Sequence, residues 1–230
     1  MKTSAIIVAA GSSTRFGGAL PKQFRTLAGK PLLTWTIQQF EAAASIDDIT
    51  VVVAKDQIHY TKDKVITPYD FKKVVGVVAG GATRQESVLR GLESYSSSMR
   101  LVAIHDGARP MVATADIDAV VKEAMTHKAA ILATRVAETV KRVKDGYVIS
   151  TQDRSDLWAA QTPQVFEHSL IVGAHRRAAA SSQEATDDAA LVEAAGFKVR
   201  VVEATAPNIK ITNRDDLKLA EALLKGVLGG

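Results

Sequence analysis

A short apolar run at residues 5–8 leads directly into a loop of small residues, Ala9-Ala10-Gly11-Ser12-Ser13-Thr14-Arg15-Phe16-Gly17-Gly18-Ala19-Leu20-Pro21-Lys22, and helical periodicity begins near Lys30. A strand, a small-residue loop and then a helix is how α/β proteins turn backbone N–H groups toward a phosphate. The pattern recurs. Apolar runs at 5–8, 49–54, 74–78, 101–105, 130–134 and 198–203 predict strands. Between the first two, Leu33, Ile37, Phe40 and Ala44 fall on one face of a helix. Val88, Leu89 and Leu92 predict a shorter helix after Gly81. Ile117, Val120, Val121 and Ala124 predict another, with Thr114 as N-cap and Asp116 and Asp118 in its first turn. Further helices are expected over about 167–180, from near Thr186-Asp187-Asp188 to Gly196, and from Thr212 or Asn213 onward. Thr186 reads as the N-cap of the second of these. This alternation describes an α/β fold with a single doubly wound, mostly parallel sheet, in one domain over residues 1–230. Ligands of such sheets bind beyond the carboxyl ends of the strands. The loops after the first, third and fourth runs are therefore the places to look.

The alternation breaks after Thr134. Residues 135–161 read as an inserted β-hairpin, with strands over 136–143 and 147–151 around Lys144-Asp145-Gly146. Asp-Gly is a hairpin signal. The insert is polar, and a lone two-stranded hairpin is marginal in water. A flexible surface hairpin and an arm leaning on a second copy of the chain both fit the composition.

With 230 residues and 47% hydrophobic content, the chain can bury a large core without staples. The absence of cysteine excludes disulfides and thiolate metal sites and suits a reducing cytoplasm. The histidines (59, 105, 127, 168 and 175) form no i, i+4 pair. No apolar stretch is long enough for a bilayer, and residues 5–10 are too short for a signal segment. The net charge of +4 comes without a long basic run or interleaved aromatics. That favours cations lining a small-anion site over a nucleic-acid partner.

Four constellations carry chemistry. The first loop is neither a Walker P-loop nor a dinucleotide fingerprint. Its Arg15 and Lys22 nevertheless supply a guanidinium fork and a compact cation for a polyphosphate. Gly80-Gly81-Ala82-Thr83-Arg84-Gln85-Glu86-Ser87 taken alone reads as a helix start with a glycine turn, and it also offers a close backbone approach and a hydroxyl suited to a nucleobase edge. In Ile104-His105-Asp106-Gly107-Ala108-Arg109-Pro110, Asp106 stands at the mouth of the sheet, where a carboxylate can hold Mg²⁺ or cap a turn paired with Arg109. His105 points the opposite way along its strand and reads as structural. A scattered set follows: Arg154, Thr162-Pro163-Gln164, Thr186-Asp187-Asp188 and Asn208-Ile209-Lys210-Ile211-Thr212. Lys210 sits in a short apolar run, where a lysine calls for an anionic partner.

In order and spacing these pieces resemble the 2-C-methyl-D-erythritol 4-phosphate cytidylyltransferase family, from about Ile6 to Ala220. The resemblance implies a Rossmann-like nucleotidyltransferase that joins CTP to methylerythritol phosphate in the non-mevalonate isoprenoid pathway and releases pyrophosphate. It implies Arg15, Lys22 and Lys210 as catalytic cations. Ala9, Ala10, Gly11 and Ser13 would cradle phosphates. Gly81, Ala82, Arg84, Ser87 and Ala108 would hold the nucleotide. Asp106 would bind Mg²⁺ (or another divalent cation) or substrate. Arg109, Thr162 and Thr186 would organise the acceptor pocket. The hairpin would be a homodimer arm, with Thr139 and Arg154 reaching the partner's site. Ser13 stands where many relatives have glycine, Ala82 where some carry an acid, and Gly107 where alanine is commoner and expected to be harmless. The rivals are a ribitol 5-phosphate cytidylyltransferase and a noncatalytic nucleotide-binding protein.

The residue list also fits the chemistry. A phosphate nucleophile is already ionised at neutral pH and needs no general base, so charge repulsion is the obstacle. Cations and oriented N–H groups reduce it.

Overall fold

The computed structural model describes residues 2–11, 16, 20–95 and 99–228. Ser13 and Arg15 lie outside the described residues. The strands are β1 (Thr3–Ala9), β2 (Asp48–Val53), β3 (Val74–Ala79), β4 (Leu101–Asp106), β5 (Ala129–Arg135), β6 (Lys141–Lys144), β7 (Tyr147–Thr151), β8 (Trp158–Glu167) and β9 (Arg200–Glu203). The main helices are α1 (Leu32–Ala42), α2 (Arg84–Glu93), α3 (Thr114–His127), α4 (His168–Ala180), α5 (Asp188–Ala194) and α6 (Arg214–Leu228).

Seven strands form one sheet in the order β9-β5-β8-β4-β1-β2-β3. All neighbours are parallel except β8, which runs antiparallel between β4 and β5. β1 shows why both faces are covered. Its Ala5, Ile7 and Ala9 pack with Leu33, Ile37 and Phe40 of α1 and with Ile117 and Val120 of α3. Its Ile6 packs oppositely, with Val88 and Leu92 of α2, Ile171 of α4 and Val192 of α5. Period-2 alternation therefore feeds two apolar layers, as a doubly wound sheet requires. Phe40 and Phe166 anchor the two layers and are fully buried. Truncating such a ring costs about 3–5 kcal/mol. A third cluster joins α6 to the front of the molecule through Phe16, Leu27, Leu32, Ile211, Ala220 and Leu224.

The order reverses beside β1, which lies between β2 and β4. At such a switch point neighbouring crossovers leave on opposite faces and open a crevice beyond the strand ends. The loops after β1 and β4 meet there.

Several expectations need correction. β8 is a ten-residue strand that the hydrophobic pattern does not announce. Gln161, Thr162, Pro163 and Gln164 interrupt it, and its register against β5 shifts between Ala160 and Gln164. The hairpin turn and β7 lie where expected, with Asp145 and Gly146 both at positive φ. The first hairpin strand is much shorter than 136–143, spanning Lys141–Lys144. Thr114 is the first residue of α3 rather than its cap, and its hydroxyl donates to Gln39 Oε1 at 3.1 Å. Asp116 does lie in the first turn of α3, where it accepts from Thr205 N–H and hydroxyl, and Asp118 accepts from Ser45. At α5 the cap is Asp187, which accepts from Ala190 N–H at 3.0 Å, not Thr186.

Candidate active site

β1 delivers Ala9, Ala10 and Gly11 to the mouth of the sheet, and the chain returns at Pro21-Lys22 in a short turn over Lys22–Phe24. Buried Gln23 donates through Nε2 to Ala9 O at 2.8 Å and ties that return to the end of β1. Lys22 Nζ donates to Ile211 O at 2.8 Å. Ile211 N–H in turn donates to Ala108 O at 2.8 Å, which joins the 208–212 stretch to the loop after β4. Three segments far apart in sequence thus close around one cleft of about 440 Å³.

The second glycine motif forms the opposite wall. Thr83 caps α2 by accepting from Glu86 N–H at 3.1 Å, and Glu86 Oε2 accepts from Ala82 N–H at 2.8 Å. This is reciprocal capping. Ser87 is buried; its hydroxyl accepts from Gly81 N–H at 3.0 Å and donates to Thr83 O. Gly80 is glycine because of crowding. A Cβ there would lie 2.5 Å from Ala10 Cβ and 2.7 Å from Ser87 Oγ.

Among the described residues, four charged side chains converge on the cleft: Lys22, Arg84, Asp106 and Lys210. Asp106 sits between two cations, with Oδ1 3.0 Å from Arg84 Nε and Oδ2 2.6 Å from Lys210 Nζ. Its N–H donates to the buried Thr162 hydroxyl at 3.0 Å. Burial alone would push the Asp106 carboxyl up, but Arg84 and Lys210 outweigh it and hold it well below the usual carboxylate range. Burial likewise opposes the Arg84 charge, and Asp188 and Asp106 overcome it and raise its pKa. Asp106 therefore pairs with Arg84 and Lys210, not Arg109. Arg109 donates through Nη1 to Asn208 O at 2.7 Å and lines a second cavity of about 540 Å³ with Gln161 and Lys210. Lys210 lines both cavities. His105 is structural as expected. Its ring packs on Phe40, its Nε2 lies 3.1 Å from Arg109 O, and burial pushes it down to about 4.

Among the expected residues, Ala9, Ala10, Gly11, Lys22, Gly81, Ala82, Arg84, Ser87, Asp106, Ala108 and Lys210 all line the first cleft. Thr162 supports Asp106 from behind. Thr186 is exposed and outside that lining. Thr139 and Arg154 belong to the hairpin region, where Arg154 Nη1 donates to Ala137 O; within one chain neither lines the cleft. Gly107 is more enclosed than expected, since a Cβ there would meet Ala9 Cβ and Leu33 Cδ1 at 3.0 Å each.

Asp106 is the one acid among the described residues lining the cleft, and no group of three acids or histidines is gathered among them. Magnesium takes one or two carboxylates beside phosphate oxygens and waters. A single carboxylate would suit an ion that arrives with a polyphosphate rather than one resident in the protein alone, and Asp106 is the acid that could hold it. Sequence reasoning missed the support behind the site. Buried Asp188 lies 2.8 Å from Arg84 Nη2, and buried His175 lies 3.0 Å from Asp188. The signal for it in the sequence is Thr186-Asp187-Asp188, which stands both at a helix start and in the scattered fourth constellation, without pointing to Arg84.

A doubly wound sheet whose switch-point crevice is lined by glycine backbone, three cations and one carboxylate defines a class: α/β proteins that bind a polyphosphate nucleotide. The model of the 2-C-methyl-D-erythritol 4-phosphate cytidylyltransferase family matches residues 3–226, and the chain belongs to that family. It is 43% identical to the protein of that name from Geotalea uraniireducens over 229 residues, covering 99% of this chain and 98% of that one. Identity is also 43% to the one from Caldanaerobacter subterraneus subsp. tengcongensis over 226 residues, 98% of this chain and 100% of the relative. The crystal structure of 4-diphosphocytidyl-2C-methyl-D-erythritol synthase from Anaerococcus prevotii is similar with a TM-score of 0.86 and 33% identity, covering 97% of this chain and 96% of that one. No helix among the described residues is long and apolar enough to cross a membrane.

Proposed function

We propose that this chain transfers CMP from CTP to 2-C-methyl-D-erythritol 4-phosphate, forming the CDP-alcohol and pyrophosphate in the non-mevalonate isoprenoid pathway. One observation carries the two-substrate reading: Lys210 stands in the walls of both cavities, between the glycine-lined cleft and the cavity that Arg109 lines.

In this reading CTP occupies the first cleft, with its triphosphate on Ala10, Gly11 and Lys22, and Arg15 completes the phosphate grip. The wall of Gly81, Ala82, Arg84 and Ser87 holds the cytidine. The acceptor phosphate enters from the Arg109 side, with Thr162 supporting Asp106 from behind the cleft, whereas Thr186 lines neither cavity. An ionised oxygen of the acceptor phosphate attacks the α-phosphorus. The bond from that phosphorus to the bridging oxygen breaks, and pyrophosphate leaves with the electron pair, so no proton is moved. Lys210 neutralises the attacking anion from between the cavities. Lys22 and Arg15 stabilise the charge growing on the α-phosphate and leaving group. Asp106 keeps Lys210 and Arg84 aimed until substrate arrives, and would hold a divalent cation together with the phosphates. That cation, when bound, neutralises phosphate charge and polarises phosphoryl oxygens.

The chain works as one nucleotidyltransferase domain over residues 1–230 with a dimerisation arm at about 135–161, through which Thr139 and Arg154 reach the site of a second copy. The exposed Val143, Tyr147, Val148 and Ile149 support that arm, because a two-stranded hairpin showing such side chains lacks a partner surface within one chain. A cytoplasmic setting suits a chain with no cysteine.

Pyrophosphate release with CTP and Mg²⁺ tests the reading, comparing methylerythritol 4-phosphate with ribitol 5-phosphate and using EDTA as control. Release with methylerythritol phosphate alone, abolished by EDTA, is expected. Release with ribitol phosphate instead would move the chain to the sister activity. No release from folded protein with either would leave nucleotide binding without transfer.

A further inference from the structure

We propose that His175 and Asp188 are positioning residues for the nucleotide site. They fix the Arg84 guanidinium and, through it, the Asp106 carboxylate that faces Lys210. The proposal rests on the cytidylyl-transfer reading above and extends it to two residues outside the cleft.

The chain of contacts is continuous. His175 Nε2 lies 3.0 Å from Asp188 Oδ1, Asp188 Oδ2 lies 2.8 Å from Arg84 Nη2, and Arg84 Nε lies 3.0 Å from Asp106 Oδ1. Asp106 Oδ2 then meets Lys210 Nζ at 2.6 Å. The side chains of His175 and Asp188 are essentially inaccessible, 0% and 1% exposed, whereas Arg84 at 29% reaches the cleft. A guanidinium presents its donors in a rigid planar fork. Carboxylates on Nε and Nη2 together set the plane of that fork, which one partner alone would not do.

Asp188 is not explained by helix capping, since Asp187 already caps α5. Its backbone is held independently. Gln164 Oε1 accepts from Asp188 N–H at 3.1 Å and Ala189 N–H at 3.0 Å, while Gln164 Nε2 donates to Asp187 Oδ2 at 2.8 Å. The Asp188 carboxylate is thereby directed at Arg84 from a rigid base. A buried carboxylate with a single partner costs stability and is free to rotate. His175 occupies its second oxygen. The buried Nδ1 of His175 has no hydrogen-bond partner among the described residues, so the hydrogen bond places the ring proton on Nε2, where it donates to Asp188. His175 comes from α4 and Asp188 from α5, so two helices of one layer are tied to the first residue of α2.

The test uses the full chain with His175→Leu, His175→Gln and Asp188→Asn, each alone and in an Arg84→Ala background. CTP affinity is read by calorimetry, and KM and kcat by pyrophosphate release. His175→Leu and Asp188→Asn are expected to weaken CTP binding and raise its KM about tenfold, the order of one charge-assisted hydrogen bond. KM for the acceptor should stay within about twofold. His175→Gln, which keeps a donor toward Asp188, should recover most of the loss. In the Arg84→Ala background the further substitutions should add nothing, because positioning through Arg84 requires Arg84. Unchanged CTP affinity and KM with a lowered melting temperature would reduce the pair to a purely structural role and overturn the proposal. So would an equal loss with and without Arg84. If His175→Leu does not fold, Asp188→Asn, of nearly the same shape, is judged by the same criteria. Absence of turnover in the unaltered chain would count against the transfer reaction instead, and the calorimetric arm would still decide the positioning claim.

Discussion

The cleft beyond β1 and β4 and the hairpin β6–β7 are both rich in polar side chains, yet they use them differently. At and behind the cleft the buried carboxylates have partners in the same chain: Asp106 with Arg84 and Lys210, and Asp188 with Arg84 and the His175 ring. These groups hang from the ends of buried strands and the starts of helices that two apolar layers hold in place. In the hairpin, Lys141, Arg142 and Lys144 face solvent, and so do Val148 and Tyr147, which are 61% and 80% exposed. The described lining of the cleft is drawn together by contacts within one chain, whereas the hairpin displays apolar surface that no described residue of the chain covers. A site that must hold its charges before substrate arrives belongs on the rigid sheet. A surface that must meet another molecule belongs on an extension from it.

The largest effect that would sharpen this contrast is in the cleft. Lys22→Ala should keep the fold but lower kcat by about 10²-fold or more, the cost of removing one preorganised charge-stabilising donor. Steady-state turnover beside a circular dichroism melt checks both halves, and an active Lys22→Ala enzyme would break the assignment.

On the proposed dimerisation arm, the double change Val148→Lys with Ile149→Asp tests that proposal: it should shift a dimer toward monomer and reduce turnover roughly tenfold, as expected when tens of Å² of apolar contact become charged. Sedimentation equilibrium with parallel kinetics distinguishes the outcomes. A dimer that persists at full activity would mean the hairpin is an inert surface element.

A smaller effect concerns the edge of the cleft. Asp216 accepts from Thr212 N–H, Thr212 Oγ1 and Asn213 N–H at the start of α6, next to Lys210. Burial pushes its carboxyl up, but these hydrogen bonds outweigh it and hold the pKa below the ordinary 3.8. A depressed folded-state value means that the stabilisation is present above the unfolded pKa and is lost as pH falls below about 3.8. Asp216→Asn should remove about 1 kcal/mol at pH 6 and less at pH 2.5, where the native carboxylate is increasingly protonated. Urea midpoints of both proteins at the two pH values measure this, and an equal difference at both would reject it.

The smallest effect is Gly107→Ala. The new methyl meets Ala9 and Leu33 at 3.0 Å, tighter than ordinary contact, so those neighbours must give by a few tenths of an ångström. A loss of about 0.5 kcal/mol is expected, below the usual cost of overpacking of about 1–3 kcal/mol, because one methyl group is added beside the far end of the Leu33 side chain. A neutral result would show that the floor of the cleft relaxes more easily than its charges suggest.

Much of the sheet was legible because β1, β2, β4 and β5 are buried along nearly their whole length and read as apolar runs, as does the half-buried edge strand β3. β1, β2, β3, β4 and β5 lie where those runs are, within a residue or two. β8 was not legible, because its central residues serve the site rather than the core. Thr162 holds the Asp106 backbone, and Gln164 holds the Asp187-Asp188 segment. Polar side chains spent on neighbours erase the alternation that marks a strand. The cleft residues were legible as motifs, yet their pairing was not. Arg109 is nearer to Asp106 in sequence, but Arg84 and Lys210 reach it in space.

The sequence by itself determined the class of fold, the chemistry of the cleft lining and the family. Hydrophobic period and small-residue loops are local properties that the chain carries wherever it goes. Tertiary structure alone decided which cation faces which carboxylate, and that His175 and Asp188 stand behind Arg84. Those contacts join residues up to about a hundred positions apart. Their geometry depends on which helices share a layer of the sheet, and no local pattern of side chains encodes that.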